Sequence, residues 1–343
     1  MENIKSKSSE NIKCHKNLID ESYVYMGLDY TFLIFKSVND IYSLIFTNEE
    51  KSIICFDIVN DKKVNEIKNA HEFYIINFRY QFDEKEKRDL ILSISCYDNN
   101  IKLWNINTLD CLLSIKNENE GGESLSCFLN NNENNYIISI NCINTSNNSS
   151  SLYKINTIDF NGKIIKEMND YNNRTFFIDS FYEKELKINY IITGNEGYSK
   201  SYNFQESKMY HQYFEKDNRG HHSIIIYNDV ETTKLIESSF DGNIRIWNFH
   251  SGILLNKITT NNISNAGWLY GIFLWNNDYL FVGCYRGLIK VINLKKGIIL
   301  KELKEHKEQV ICIKNIKLPK FGDCLISQGY GNNGIKLWTI DIS

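Results

Sequence analysis

One five-residue pattern governs what this chain can fold into. Ile101-Lys102-Leu103-Trp104-Asn105 returns as Ile244-Arg245-Ile246-Trp247-Asn248 and as Ile335-Lys336-Leu337-Trp338-Thr339. A further copy, Ile289-Lys290-Val291-Ile292-Asn293, carries Ile in place of Trp. Apolar side chains fall at alternate positions, the period of a strand with one buried face. Each copy follows a turn rich in Asn, Asp or Gly: Asp98-Asn99-Asn100, Asp241-Gly242-Asn243, Arg286-Gly287-Leu288 and Asn332-Asn333-Gly334. Each turn follows another apolar run, at Leu90 to Cys96, Leu235 to Ser239, Tyr279 to Cys284 and Cys324 to Gln328. Two such runs joined by that turn chemistry make a β-hairpin.

Weaker copies at Ser52 to Asp57, Leu152 to Asn156 and Ser199 to Asn203 complete the series. The anchors are then Phe56, Trp104, Ile155, Tyr202, Trp247, Ile292 and Trp338, spaced 48, 51, 47, 45, 45 and 46 residues apart. Seven units of about 45 residues, each with room for four short strands, is the period of a propeller. A helical repeat of similar length would show 3.6-residue periodicity and stronger helix formers. The expected fold is all-β: a single seven-bladed β-propeller of four-stranded antiparallel blades. The seventh unit has five residues after Trp338, too few for its own fourth strand. The stretch from Lys13 to Asp20 is expected to supply that strand and close the ring, which removes free sheet edges. Residues 1–11 are expected to be a disordered tail and residues 12–343 the propeller.

These residues resemble the WD-repeat family, whose third strand ends in Trp-Asp and whose first strand follows a Gly-His pair. The Trp-Asp dipeptide here reads Trp104-Asn105, Trp247-Asn248 and Trp338-Thr339, and the Gly-His pair reads Ala70-His71 and Glu305-His306. No unit carries both pairs intact. The resemblance covers nearly all of the chain after about residue 20. It implies a buried structural network of His, a second-strand Ser or Thr, a turn Asp and the Trp. By position, His71, Asp98 and Trp104 would supply it in the second unit, and Ser239, Asp241 and Trp247 in the fifth. His306 and Trp338 would do so in the seventh. Such groups fix a blade by satisfying buried polar atoms and leave little room for catalysis.

The resemblance also implies a binding face, made by the loop entering each first strand and by the turn between the second and third. Mapped onto this chain, that face would hold Tyr74, Tyr97, Phe240, Trp268, Tyr285, Arg286, Gln309 and Tyr330. Aromatic side chains and Arg are the types that anchor interfaces, and loops on a rigid scaffold are where binding residues sit. The implied function is a non-catalytic scaffold or adaptor that holds one or more proteins in a larger complex. A substrate receptor of a cullin ubiquitin ligase is one alternative. Its Trp-Asp-x-Arg pattern is met here by Trp247-Asn248-Phe249-His250, with His where Arg is required. A phosphoinositide-binding propeller is another. It wants paired Arg before Gly, against the single Arg of Tyr285-Arg286-Gly287 and Asn218-Arg219-Gly220.

Composition narrows the remaining classes. Thirty-nine basic against 42 acidic side chains give a net charge of -3, the wrong balance for a dedicated nucleic-acid binder. No P-loop, G-x-S-x-G or H-E-x-x-H motif is present, so no enzymatic activity is expected. Nine cysteines without a C-x-x-C pair read as reduced, mostly buried thiols. The histidines His211, His221 and His222 are poorly spaced for a metal, and no metal or cofactor is expected. Met1 to Glu10 lacks an apolar core and no run reaches the length of a membrane span, so no signal peptide and no membrane span are expected. The sequons at Asn144, Asn147 and Asn148 then fall in an Asn-rich loop by composition alone. The family is mainly eukaryotic, which implies a cytoplasmic or nuclear location.

Overall fold

The computed structural model describes residues 11–20, 31–95, 100–116, 125–131, 134–143, 151–172, 174–216, 219–229, 231–260, 268–331 and 334–341. The described residues form seven four-stranded antiparallel sheets. Blade one is β2 (Leu33–Lys36), β3 (Tyr42–Thr47), β4 (Ile53–Asp57) and β5 (Lys62–Ile67). Blade two is β6 (Ile75–Asp83), β7 (Arg88–Ser95), β8 (Asn100–Asn105) and β9 (Asp110–Lys116). Blade three is β10 (Leu125–Asn131), β11 (Asn134–Ile143), β12 (Ser151–Asp159) and β13 (Ile164–Asn172). Blade four is β14 (Thr175–Glu183), β15 (Ile188–Asn195), β16 (Tyr198–Asn203) and β17 (Lys208–Phe214). Blade five is β18 (His221–Asn228), β19 (Thr233–Ser239), β20 (Asn243–Asn248) and β21 (Leu254–Thr259). Blade six is β22 (Leu269–Trp275), β23 (Tyr279–Cys284), β24 (Leu288–Asn293) and β25 (Ile298–Lys304). Blade seven joins β26 (Val310–Leu318), β27 (Gly322–Gly329) and β28 (Ile335–Asp341) to β1 (Asn11–Ile19).

The first strand of each blade touches the first strand of the next, from β2 through β6, β10, β14, β18 and β22 to β26 and back to β2. The ring is therefore closed, with these strands innermost. The closure is a clasp: β1 pairs antiparallel with β28, Cys14 opposite Trp338 and Asn11 opposite Asp341. Asn11 already lies in that strand, while residues 1–10 of the expected tail lie outside the described residues.

The core is a set of apolar layers between neighbouring blades rather than one centre. Phe35 and Ile45 of blade one meet Phe78, Ile91 and Trp104 of blade two. Phe281 and Val291 of blade six meet Ile313, Leu325 and Trp338 of blade seven. Both faces of each blade press on a neighbour, so inner strands such as β4 and β7 are buried on both faces and only the outermost strands face water.

A β-bulge recurs at the anchor position. The register between third and fourth strands shifts at Phe56, Trp104, Ile158, Tyr202, Trp247 and Ile292. A bulge bends its strand and increases twist, which lets the outer strand curl away from the next blade. The third anchor is therefore Ile158, not Ile155: Ile158 stands opposite Ile137, and the bulge falls between Thr157 and Ile158.

Candidate functional site: an aromatic rim on one face

A repeated backbone bond sets the geometry of the face. In blades four to seven the residue that begins the turn between second and third strands donates its N–H to the carbonyl of a residue at the entry to the innermost strand. The bonds are Glu196 N to Arg174 O at 2.8 Å, Phe240 N to Gly220 O at 3.1 Å, Tyr285 N to Trp268 O at 3.2 Å and Tyr330 N to Gln309 O at 2.9 Å. Phe240, Tyr285 and Tyr330 thus occupy equivalent turn positions on successive blades, and Trp268 and Gln309 the matching entry positions beside Tyr285 and Tyr330. Tyr74, immediately before β6, holds the place that Trp268 holds before β22. Tyr97 and Asp98 lie outside the described residues.

Four side chains meet as a chain of rings across blades four to six. Phe176 and Phe240 are edge-on with centroids 5.9 Å apart, Phe240 and Trp268 follow at 5.2 Å, and Trp268 and Tyr285 at 6.3 Å. Guanidinium groups lie at both ends, Arg174 5.1 Å from the Phe176 centroid and Arg286 5.8 Å from that of Tyr285. Trp268 and Tyr285 keep 45% and 43% of their surface in solvent. Phe240 and Tyr330 are half-buried against the apolar layer below, and Tyr74 lies under the Lys51 ammonium at 5.8 Å. Gly220 seats the rings: a Cβ there would come within 2.7 Å of Phe176 and 3.1 Å of Phe240. Sequence reasoning passed over Arg174 and Phe176, and weighed Gly220 only within Asn218-Arg219-Gly220 as a phosphoinositide loop. Aligning the entry to each innermost strand would have found them, but blade four has no Trp, and no His stands before its first strand to set that alignment.

The buried network exists in two blades with matching geometry. In blade two the Ser93 hydroxyl lies 2.7 Å from His71 Nε2 and accepts from Trp104 Nε1 at 2.8 Å. In blade seven Ser327 does the same with His306 at 2.7 Å and Trp338 at 2.8 Å. The serine stands two residues beyond the strand partner of the Trp, since Ile91 and Leu325 face Trp104 and Trp338.

Blade five differs from the expectation. Leu235 faces Trp247, so the equivalent place belongs to Glu237. Ser239 instead donates to Arg219 O at 2.8 Å, and Asp241 accepts from the Arg245 guanidinium at 2.5 and 3.3 Å. Glu237 is fully buried and accepts from the Ser199 hydroxyl of blade four at 2.6 Å. Burial pushes its carboxyl up to about 7, against the opposing pull of Ser199, the Trp247 indole and Arg245. The Trp247 N–H faces this carboxylate but meets no acceptor in hydrogen-bond geometry.

Other polar groups are engaged within the ring. Arg79 on β6 reaches the Ile178 carbonyl on β14 at 2.7 Å, which ties blade two to blade four through the central channel. His250 Nε2 lies 2.9 Å from Glu183 of blade four and its Nδ1 3.1 Å from the Tyr210 hydroxyl. Among the described residues no three His, Cys, Asp or Glu side chains group as metal ligands, and no helix is long and apolar enough to cross a membrane.

The fold and its rim define the molecule as a seven-bladed β-propeller of four-stranded blades, compatible with the WD-repeat type. No protein-family model matches the chain, and the search of curated proteins gives no significant match.

Proposed function

We propose that this chain is a WD-repeat-type, non-catalytic scaffold that binds protein partners through the aromatic rim of one face. The observation that carries the reading is the row of Phe240, Trp268 and Tyr285 along the rim of two neighbouring blades, with two large rings left in solvent. A rigid frame carrying exposed aromatic anchors beside Arg supplies contact area at little entropic cost. The absence of catalysis in this reading is supported by the duties of the candidate acid and base groups. His71 and His306 contact Ser93 and Ser327, and Asp241 pairs with Arg245. His250, where a ligase receptor of the resembled family would carry Arg, is held by Glu183 and Tyr210. The free thiols Cys55, Cys127, Cys284, Cys312 and Cys324 are buried and fit a cytoplasmic or nuclear setting.

The test is affinity purification of the tagged chain beside its Trp268→Ala/Tyr285→Ala double variant, with mass spectrometry of what is retained. A stoichiometric protein lost from the double variant, at unchanged melting temperature, is the expected result. A partner retained at full stoichiometry would place the interface elsewhere.

A further inference from the structure

We infer that the rim accepts an extended segment of a partner in which an acidic residue stands two positions from an apolar or aromatic one. The inference rests on the interface reading above and adds the chemistry of the occupant. In an extended chain, side chains at i and i+2 share a face about 6.6 Å apart. The ring-to-ring steps of 5.9, 5.2 and 6.3 Å along Phe176, Phe240, Trp268 and Tyr285 are somewhat shorter than that spacing, close enough for neighbouring same-face side chains to reach successive rings. Apolar side chains at alternate positions can therefore each rest on a different ring, as in other extended-peptide recognition.

The cation at the exposed end sets the charge. Arg286 is exposed, its guanidinium 5.8 Å from the Tyr285 centroid, and no carboxylate of the described residues lies within ion-pair distance of it. An exposed guanidinium beside a ring has N–H groups free to donate two parallel hydrogen bonds to a carboxylate. Its seat is fixed by packing. A Cβ on Gly287 would come within 1.9 Å of the His306 carbonyl, so the turn rests directly on blade seven. A partner carboxylate placed one i to i+2 step beyond the side chain on Tyr285 meets this group. The aromatic row with Arg also suits single-stranded nucleic acid, but an exposed Arg on a chain of net charge -3 favours an acidic peptide.

The test is selection of random dodecapeptides by phage display on the folded full-length chain. Binding of recovered peptides is then measured by fluorescence polarisation to wild type, Arg286→Gln and Trp268→Ala/Tyr285→Ala. Recovered peptides are expected to carry Asp or Glu two positions from an aromatic or aliphatic residue. Arg286→Gln is expected to weaken them roughly tenfold, with loss of most of the salt dependence. Peptides without an acid, or peptides bound equally by Arg286→Gln, would overturn the inference. The interface reading would survive that result if the same peptides are lost from the double variant. If binding is insensitive to the double variant, both fail. Tighter, Arg286-dependent binding of oligo(dT) than of any peptide would replace the inference with nucleic-acid recognition.

Discussion

The Ser199 hydroxyl of blade four donates a 2.6 Å hydrogen bond to the Glu237 carboxylate of blade five, across an interface that excludes water from both side chains. An acid that blades two and seven replace with serine is thereby placed between two sheets.

That carboxyl titrates at about 7 in the folded chain against a reference value of 4.5. Between those values the folded chain holds a proton that the unfolded chain has released. Stability therefore falls as pH rises through this window and levels off above it. Glu237→Gln keeps an acceptor for Ser199 and removes the charge. Above the window the variant should be more stable than wild type by up to about 3 kcal/mol. Denaturant midpoints measured across the window should change less in the variant. A slope unchanged by the substitution would assign the pH dependence to another group.

Trp338→Ala should destabilise the chain by about 3–5 kcal/mol, because it empties a site that is 1% exposed. Ser327→Ala should cost about 1–3 kcal/mol by removing the shared partner of the Trp338 indole and His306. Trp268→Ala, on the exposed rim, should stay within about 0.5 kcal/mol of wild type. Chemical denaturation of the three variants checks the order. Equal losses at Trp268 and Trp338 would mean that the rim is part of the core.

Two glycines with left-handed backbone separate strain from collision. Gly322 has φ +69 and nothing within 4 Å of the place a Cβ would take, so Gly322→Ala should cost about 1 kcal/mol. Gly287 has φ +76, and its Cβ would lie 1.9 Å from a backbone oxygen that cannot swing aside. Gly287→Ala should cost at least about 3 kcal/mol. Thermal unfolding of both variants gives the comparison, and equal costs would contradict the tight seat on blade seven.

Removing residues 1–19 should lower the melting temperature and promote association, because it strips β1 from β28 and opens an edge beside Trp338. Calorimetry and size-exclusion chromatography read both effects. A monomer of unchanged melting temperature would show that the clasp contributes nothing.

The period was legible because each blade needs the same apolar strands joined by the same turn chemistry to press on two neighbours, and that demand repeats seven times. The clasp was legible from the shortage of residues after Trp338. What escaped was local register. The third anchor slipped by three residues because Ile155 and Ile158 are equally apolar, and only the bulge distinguishes them. Ser239 drew attention in blade five as the residue type expected, yet the strand partner of Trp247 gives the place to Glu237. A pattern search follows residue types, whereas the sheet follows pairing. Phe240, Trp268 and Tyr285 were legible as turn and strand-entry residues, because the turn chemistry around them marks the ends of the strands. Arg174 and Phe176 were missed because blade four lacks the Trp that would have set its frame.

The pairing of β1 with β28 also orders events in time. During synthesis β1 emerges before every other strand of the ring, yet its partner β28 emerges after all of them. Hairpins within blades one to six can form while the ribosome is still working. The first strand must wait, unpaired, until the seventh blade arrives. Ring closure is thus one late and non-local step, and the interval before it is when a newly made chain most needs a chaperone.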